Sequence, residues 1–244
     1  DVARERHHQH REQHQERPQR GRQWGVERVR PRLSREEVAR AALAIVDREG
    51  LDGLSMRHLG AALGVDPMAA YHYFPNKAAL LDGIVDAVYA EIPPAPAPDA
   101  PWDEQLRQLL RAYRQVLKAH PHALPALATH PAFTEASFRQ LEAAGAILHR
   151  AGLSPSDAMR VIGQLSGYLI GLTLAEVGLQ PGGIADPTED EVLARVAELP
   201  PEEYPVVVAA VRSREIFDHD RDFESGIDTF IAGLLVQYPK LRAM

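Results

Sequence analysis

The sequence predicts an all-α protein: a small N-terminal unit of three helices and a connector, followed by a larger helical bundle. Three observations carry this. Apolar residues recur at i, i+3 and i+4 along most of the chain beyond residue 33. Ala and Leu are abundant, while aromatic residues make up only 6% and β-branched runs are few, which favours helix over strand. Gly, Pro and capping residues divide the periodic stretches into helix-sized pieces, and Pro-Pro-Ala-Pro-Ala-Pro-Asp-Ala-Pro at 93–101 separates the two parts as a stiff spacer.

With 244 residues and 45% apolar content, the chain can bury a substantial core as one large domain or two modest ones. It has no cysteine, which excludes disulfides and thiolate chemistry. The net charge of −7 is unevenly placed. Residues 1–92 hold 14 Lys/Arg against 14 Asp/Glu, whereas residues 93–244 hold 13 against 20. A neutral head on an acidic body suits a protein that meets a polyanion with one end only. Nothing at the N-terminus resembles a signal peptide, and a cytoplasmic location is the expectation.

Residues 1–32, with nine Arg against five acids, lack apolar periodicity and are expected to be a disordered basic tail. Its histidines, His7, His8, His10 and His14, have no Cys partners, and no metal or cofactor is expected. Residues 33–92 form the head. Ser34 and Glu37 make a capping box, Leu33 and Val38 a staple, and Val38, Ala41, Ala42, Ile45 and Val46 an inward stripe ended by Gly50. Ser55 caps a second helix that carries Leu59 and Leu63 and stops at Gly64, with Val65 plugging the corner. Asp66-Pro67 starts a third helix of about two turns, because Pro75 pushes Phe74 out of helical geometry. Ala70 and Phe74 are expected to point inward. Asn76 caps a connector helix running to about Glu91, with Leu80, Leu81, Ile84, Val85 and Val88.

Helix, three-residue corner, helix is the geometry that inserts one short helix into the major groove while its partner braces on the backbone. An ordinary αα-corner has the same outline, so the residues must decide. Arg57, Tyr71, His72, Tyr73 and Lys77 place hydrogen-bond donors at helix openings, where phosphates are held. The stretch from about Leu33 to Val88 resembles the DNA-binding head of the tetracycline-repressor (TetR) family. The resemblance rests on Ala41-Ala42-Leu43, Gly50, Leu54-Ser55-Met56-Arg57, Leu59, Leu63-Gly64-Val65 and Tyr71-His72-Tyr73-Phe74-Pro75-Asn76-Lys77-Ala78-Ala79-Leu80-Leu81. It implies that Ser55, Arg57, Pro67, Met68, Ala69, Tyr71, His72, Tyr73 and Lys77 meet DNA. Pro67, Met68 and Ala69 carry few hydrogen-bonding groups, so base reading would lean on thymine methyls together with Arg57 or His72. Core packing is an equal reading of Tyr73.

Residues 102–244 are read as a helical effector-binding and dimerisation domain. Leu106, Leu109, Leu110, Tyr113, Val116 and Leu117 stripe a helix ending near His120-Pro121. A Pro-broken segment, His122 to Pro131, precedes a helix from Phe133 to Arg150. Helix breaks inside a bundle leave gaps suited to small molecules. The resemblance points to the same place and implies effector contacts from Tyr113, Leu117, His120, Leu127, His130, Phe138, Leu141, Ile162, Leu165 and Glu176. The tetracycline-binding relatives also bring a His to the effector's metal ion. Ala126 stands at that place here, a departure that argues against magnesium–tetracycline recognition.

Residues 155–178 form the most apolar helix, but its uncharged run, Val161 to Ala175, is shorter than the roughly twenty residues that span a bilayer. No membrane partner is expected. Gly163, Gly167 and Gly171 give it a smooth stripe. After a Gly/Pro/acid-rich excursion at 180–204 with a short helix near Glu189 to Leu199, Tyr204 to Arg212 reads as a buried helix. The terminal helix, Asp220 to Tyr238, carries Phe223, Ile227, Phe230, Ile231, Leu234 and Leu235. The resemblance implies that this helix and the Gly-striped one pair with their copies in a second subunit.

The expected function is a homodimeric, ligand-responsive repressor on a pseudo-palindromic operator, released by a small-molecule effector. A constitutive dimeric DNA-binding protein or an activator is the alternative. An enzyme is disfavoured, because the chain has no Gly-rich phosphate loop and no His-Glu-x-x-His pattern.

Overall fold

The computed structural model describes residues 33–94, 99–130, 134–178 and 187–243. The basic tail at 1–32, residues 95–98 of the Pro-rich spacer, residues 131–133 and the start of the excursion after the Gly-striped helix (residues 179–186) lie outside the described residues. Among the described residues there are eleven α-helices and no strand.

Short-range chemistry sets the helices of the head. α1 (Arg35–Glu49) opens on the Ser34–Glu37 capping box and closes at Gly50, φ 73°. α2 (Met56–Leu63) begins where Ser55 Oγ accepts the His58 amide and ends at Gly64 in the left-handed region, φ 65°. α3 (Pro67–Tyr71) is a single short helix whose first free amide, Met68 N, donates to Asp66 Oδ1 at 2.8 Å. α4 (Lys77–Glu91) is capped by Asn76 Oδ1, which accepts from Ala79 N at 2.8 Å. Two glycines permit close approaches. A Cβ on Gly60 would lie 3.0 Å from the Pro67 backbone, so α2 and α3 meet only through a glycine. A Cβ on Gly83 would lie 2.5 Å from Phe74 Cζ, and the bare backbone there lets the fully buried Phe74 ring pack against α4.

The body begins with α5 (Trp102–Ala119), whose buried face includes Leu106, Leu109, Leu110, Tyr113 and Leu117. A 3-10 turn at Pro121–Ala123 leads into α6 (Leu124–Thr129). α7 (Glu135–Arg150) starts at Thr134, whose Oγ1 accepts from Ser137 N. α8 (Pro155–Glu176) starts at Ser154. α9 (Glu189–Ala197) and α10 (Pro205–Ser213) pack on each other. α11 (His219–Gln237) lies against α5, where Arg111 and Glu224 form two parallel hydrogen bonds of 2.8 Å. Trp102 Nε1 donates to Leu241 O at 3.2 Å, tying the start of the body to its end.

From Leu33 onward the described residues form one unit with a continuous core. α4 packs on α1 on one side and on α5, α6 and α7 on the other, and the 3-10 turn after α5 packs on α1.

Two expectations change. α10 is helical, but Val206 is 78% exposed and Val207 is also exposed; only Val208 and Val211 are buried, so this helix is not a core element of the single chain. α8 runs for 22 residues with a mean hydropathy of 1.2 in its most apolar window, which by length and composition is enough to cross a bilayer. Measured by the uncharged run alone, it looked too short. Leu165, Leu169 and Thr173 on its inner face are buried in the body.

Candidate nucleic-acid interface and effector cavity

Ser55, Arg57, Met68, Tyr71, His72 and Lys77 are exposed on the α2–α3–α4 surface, while Pro67 and Ala69 are half-buried on α3. Met68 is the most open of the large apolar side chains there, at 66% exposure. Ala70 and Phe74 are buried as expected and fix α3 on the head core. Ser55, Arg57 and His58 line a hollow beside α2 with Gly53 and Ala61. The Asp66 carboxylate occupies the opening of α3, so that helix start offers no free amide cluster to a phosphate.

Tyr73 differs from its neighbours. Its hydroxyl donates to Leu33 O at 2.6 Å, and its own carbonyl accepts from Arg35 Nη1 at 2.7 Å. The Arg35 guanidinium also lies 4.2 Å from the centre of the Phe74 ring. The hydroxyl proton is therefore spent inside the head, and a phosphate contact from Tyr73 is replaced by a brace between α1 and the end of α3. Arg35 escaped the sequence reading because its partners are 38 residues away.

Within the body, a narrow cavity of about 50 Å³ lies among α4, α5, α7 and α8. Tyr89 and Ile92 come from the end of α4, and Leu106, Leu109, Leu110 and Tyr113 from α5. Gln140, Leu141 and Ala144 come from α7, and Ile162, Leu165 and Ser166 from α8. The Tyr113 hydroxyl donates to the Tyr89 hydroxyl at 3.2 Å, and burial, with the neighbouring Tyr89, pushes the Tyr113 phenol well above its ordinary pKa. The Gln140 amide donates to the carbonyls of Tyr89 (3.3 Å) and Ile92 (3.1 Å), holding the last turn of α4.

Of the expected effector contacts, Tyr113, Leu141, Ile162 and Leu165 line this cavity and the others do not. Leu117 and Leu127 are core residues. Phe138 is 52% exposed, on an outer groove that shares Ile92, Gln140 and Leu141 with the cavity. His130 sits beside Thr129 Oγ1 at the end of α6. His120 is turned toward the head, between Asp47 and Glu91. Glu176 is engaged by Arg114 at 2.8 Å and by Lys118. Burial alone would raise the Glu176 carboxyl, but the hydrogen bonds from Lys118 and Arg114 outweigh it and hold the pKa below the ordinary carboxylate value. The lining residues Tyr89, Ile92, Gln140, Ala144 and Ser166 were missed, with no local pattern to mark them, and Leu106, Leu109 and Leu110 were read only as the apolar stripe of α5.

The expected subunit face needs the same revision. Gly163, Gly167 and Gly171 are exposed, and a Cβ on any of them would meet nothing within 4 Å, so the stripe is bare. Phe223, Ile227, Ile231 and Leu234 are instead buried within their own chain, because that side of α11 covers α5 and α8. Phe230 is half-buried against Tyr168 of α8, with ring centres 5.1 Å apart. The outer side of α11 carries Thr229, Ala232, Gly233 and Val236, the last 72% exposed.

Known proteins share this fold. Residues 38–84 match the bacterial regulatory proteins of the tetR family, and residues 95–238 match the tetracyclin repressor-like C-terminal domain. The chain is 32% identical to the Escherichia coli tetracycline repressor protein class A from transposon 1721, over 83% of this chain and 91% of that protein. It is 29% identical to the HTH-type transcriptional repressor DrrR1 of Streptomyces coeruleorubidus, over 87% of this chain and 81% of that one. The fold superposes with a TM-score of 0.74 on the Streptomyces coelicolor TetR family protein ActR in complex with actinorhodin, at 29% identity over 84% of this chain and 98% of that one. With both halves matched in order, the chain belongs to the TetR family of bacterial transcriptional regulators.

Proposed function

We propose that the protein is a ligand-responsive repressor that binds a pseudo-palindromic operator as a homodimer. The carrying observation is that one helix, α4, borders both surfaces: Lys77 opens it on the candidate DNA face, and Tyr89 and Ile92 close it on the cavity. Residues 33–92 then serve as the DNA-binding domain and 102–244 as the effector and dimerisation domain. DrrR1 and the tetracycline repressors support the repressor reading, and ActR with actinorhodin supports a small molecule held in the body. The bare Gly stripe of α8 and the outer side of α11 are the proposed subunit face, which would set two α3 helices about one helical turn (roughly 34–36 Å) apart.

The cavity chemistry narrows the effector. Among the described residues its lining carries no charged side chain; Tyr89, Tyr113, Gln140 and Ser166 supply the polar groups. That suits a neutral, mainly apolar molecule with a few hydroxyl or carbonyl groups, and offers no carboxylate or imidazole to a bound metal. At about 50 Å³ the cavity is far smaller than the roughly 300–1,000 Å³ that drug-sized ligands fill, so entry must displace a wall. The end of α4 is that wall, and its shift would turn the heads out of register with the operator. By linkage, effector lowers DNA affinity by the factor by which DNA lowers effector affinity.

The test starts from duplexes selected by the full chain from a random library. Lys77→Ala should weaken all duplexes alike and reduce the salt slope by about one, while Met68→Ala should change which sequences are preferred. If both variants bind as the parent does, the assigned surface is wrong. Thermal-shift screening of neutral polycyclic compounds, followed by release from the selected duplex, tests the effector.

A further inference from the structure

His120, the residue that ends α5, is buried at a junction of three elements. Its Nδ1 lies 3.0 and 3.1 Å from the two carboxylate oxygens of Asp47 on α1. Its Nε2 lies 2.9 Å from Glu91 Oε2, on the last residue of α4. Only a doubly protonated imidazolium can donate on both sides, so one cation ties the head helix α1 and the connector α4 to the body. His122, on the following 3-10 turn, bonds through Nδ1 to the Asp47 carbonyl at 2.9 Å and keeps that turn on the end of α1. Asp47 and Glu91 are the titratable groups that meet His120, from α1 and α4, and His122 on the turn meets the Asp47 backbone.

The position of Glu91 makes this more than a structural ion pair. It lies between Tyr89, which lines the cavity, and Ile92, which does the same, and Gln140 holds the carbonyls of both. A ligand that pushes the end of α4 outward must draw Glu91 away from His120.

We propose that His120 is the positioning residue through which opening of the effector cavity is passed to the DNA-binding head. The inference rests on the effector-responsive reading above. In the closed state the imidazolium clamps α1 and α4 together; when α4 withdraws Glu91, the clamp opens and α1 is no longer held in register with α4. Burial opposes the charge on His120, but the hydrogen bonds to Glu91 and Asp47 outweigh it and hold the imidazole pKa above its ordinary value. A raised pKa means that the clamp is complete at low pH and is lost as pH rises through the folded pKa.

Two measurements on the full chain test this. The first is affinity for the selected duplex as pH is raised from the ordinary histidine value upward, the direction in which a histidine with a raised pKa loses its charge. The parent should bind more weakly as pH rises. His120→Gln should bind about tenfold more weakly at the acid end and lose most of that pH dependence. Glu91→Gln, which keeps the His120–Asp47 pair, should move affinity the same way and serves if His120→Gln does not fold. The second is hydrogen exchange, where both variants should speed the amides of Tyr89 to Ile92. Unchanged affinity and pH profile in a folded His120→Gln protein, or lower thermal stability alone, overturns the proposal. If the parent selects no duplex, the DNA-binding reading fails, and hydrogen exchange alone decides the clamp.

Discussion

Glu176 shows how one carboxylate organises the interior of the body. It accepts from Arg114, whose guanidinium also meets Asp220 at 2.8 Å, the His219 carbonyl at 3.3 Å and the Phe223 ring at 4.6 Å. Removing the carboxylate leaves a buried guanidinium with only part of its compensation. Glu176→Gln should therefore cost about 2 kcal/mol at neutral pH, less than the roughly 3–5 kcal/mol of a broken buried pair because Asp220 remains. Since the folded pKa of Glu176 is depressed, its contribution is present above the unfolded pKa and lost as pH falls through the folded one. Urea unfolding from about pH 7 down to about pH 2 should show a constant gap above the ordinary carboxylate pKa and convergence of the parent and the variant only below it; a gap that stays constant to the acid end would contradict the assignment. At this scale the sequence was a poor guide. It offered His120 and His130 as effector anchors because they are polar residues near helix breaks, and Glu176 by resemblance, but the partners of His120 and Glu176 lie 73 and 62 residues away.

At the scale of elements, each helix of the head is announced by residues within four positions of its ends. Ser34, Ser55, Asp66 and Asn76 all cap as their side chains dictate, and Gly50 and Gly64 stop their helices with positive φ. α3 is the fragile one. Five residues are too few to hold a helix alone, so its cap and the anchors Ala70 and Phe74 must stabilise it. Asp66→Ala should lower stability by about 1 kcal/mol and speed exchange of the Met68 amide, which donates to that carboxylate. Equal exchange in both proteins would show that the α3 start needs no cap. α10 marks the limit of this kind of reading. Its valines suggested burial, yet helix periodicity cannot say whether a neighbour is present to cover them.

At the scale of the molecule, an assembly face can be separated from a core face by what each glycine and each apolar residue meets. The α8 stripe meets nothing, whereas the apolar face of α11 is consumed inside the chain. Gly167→Glu should accordingly leave helicity and the melting point of the single chain intact but shift the sedimenting species to a monomer, and weaken binding to a two-half-site duplex by at least about tenfold. A dimer that survives this change would place the subunit face elsewhere.

By itself the sequence determined the fold class, nearly every helix boundary and the helix-turn-helix, because caps, prolines and positive-φ glycines act over three or four residues. Only the tertiary structure decided that α11 packs inward, that Tyr73 braces α1, that the end of α4 lines the cavity, and that His120 meets Asp47 and Glu91. Those outcomes depend on contacts such as Trp102 with Leu241, 139 residues apart. An amphipathic pattern states that a face must be buried, but only the packed chain supplies the partner that buries it.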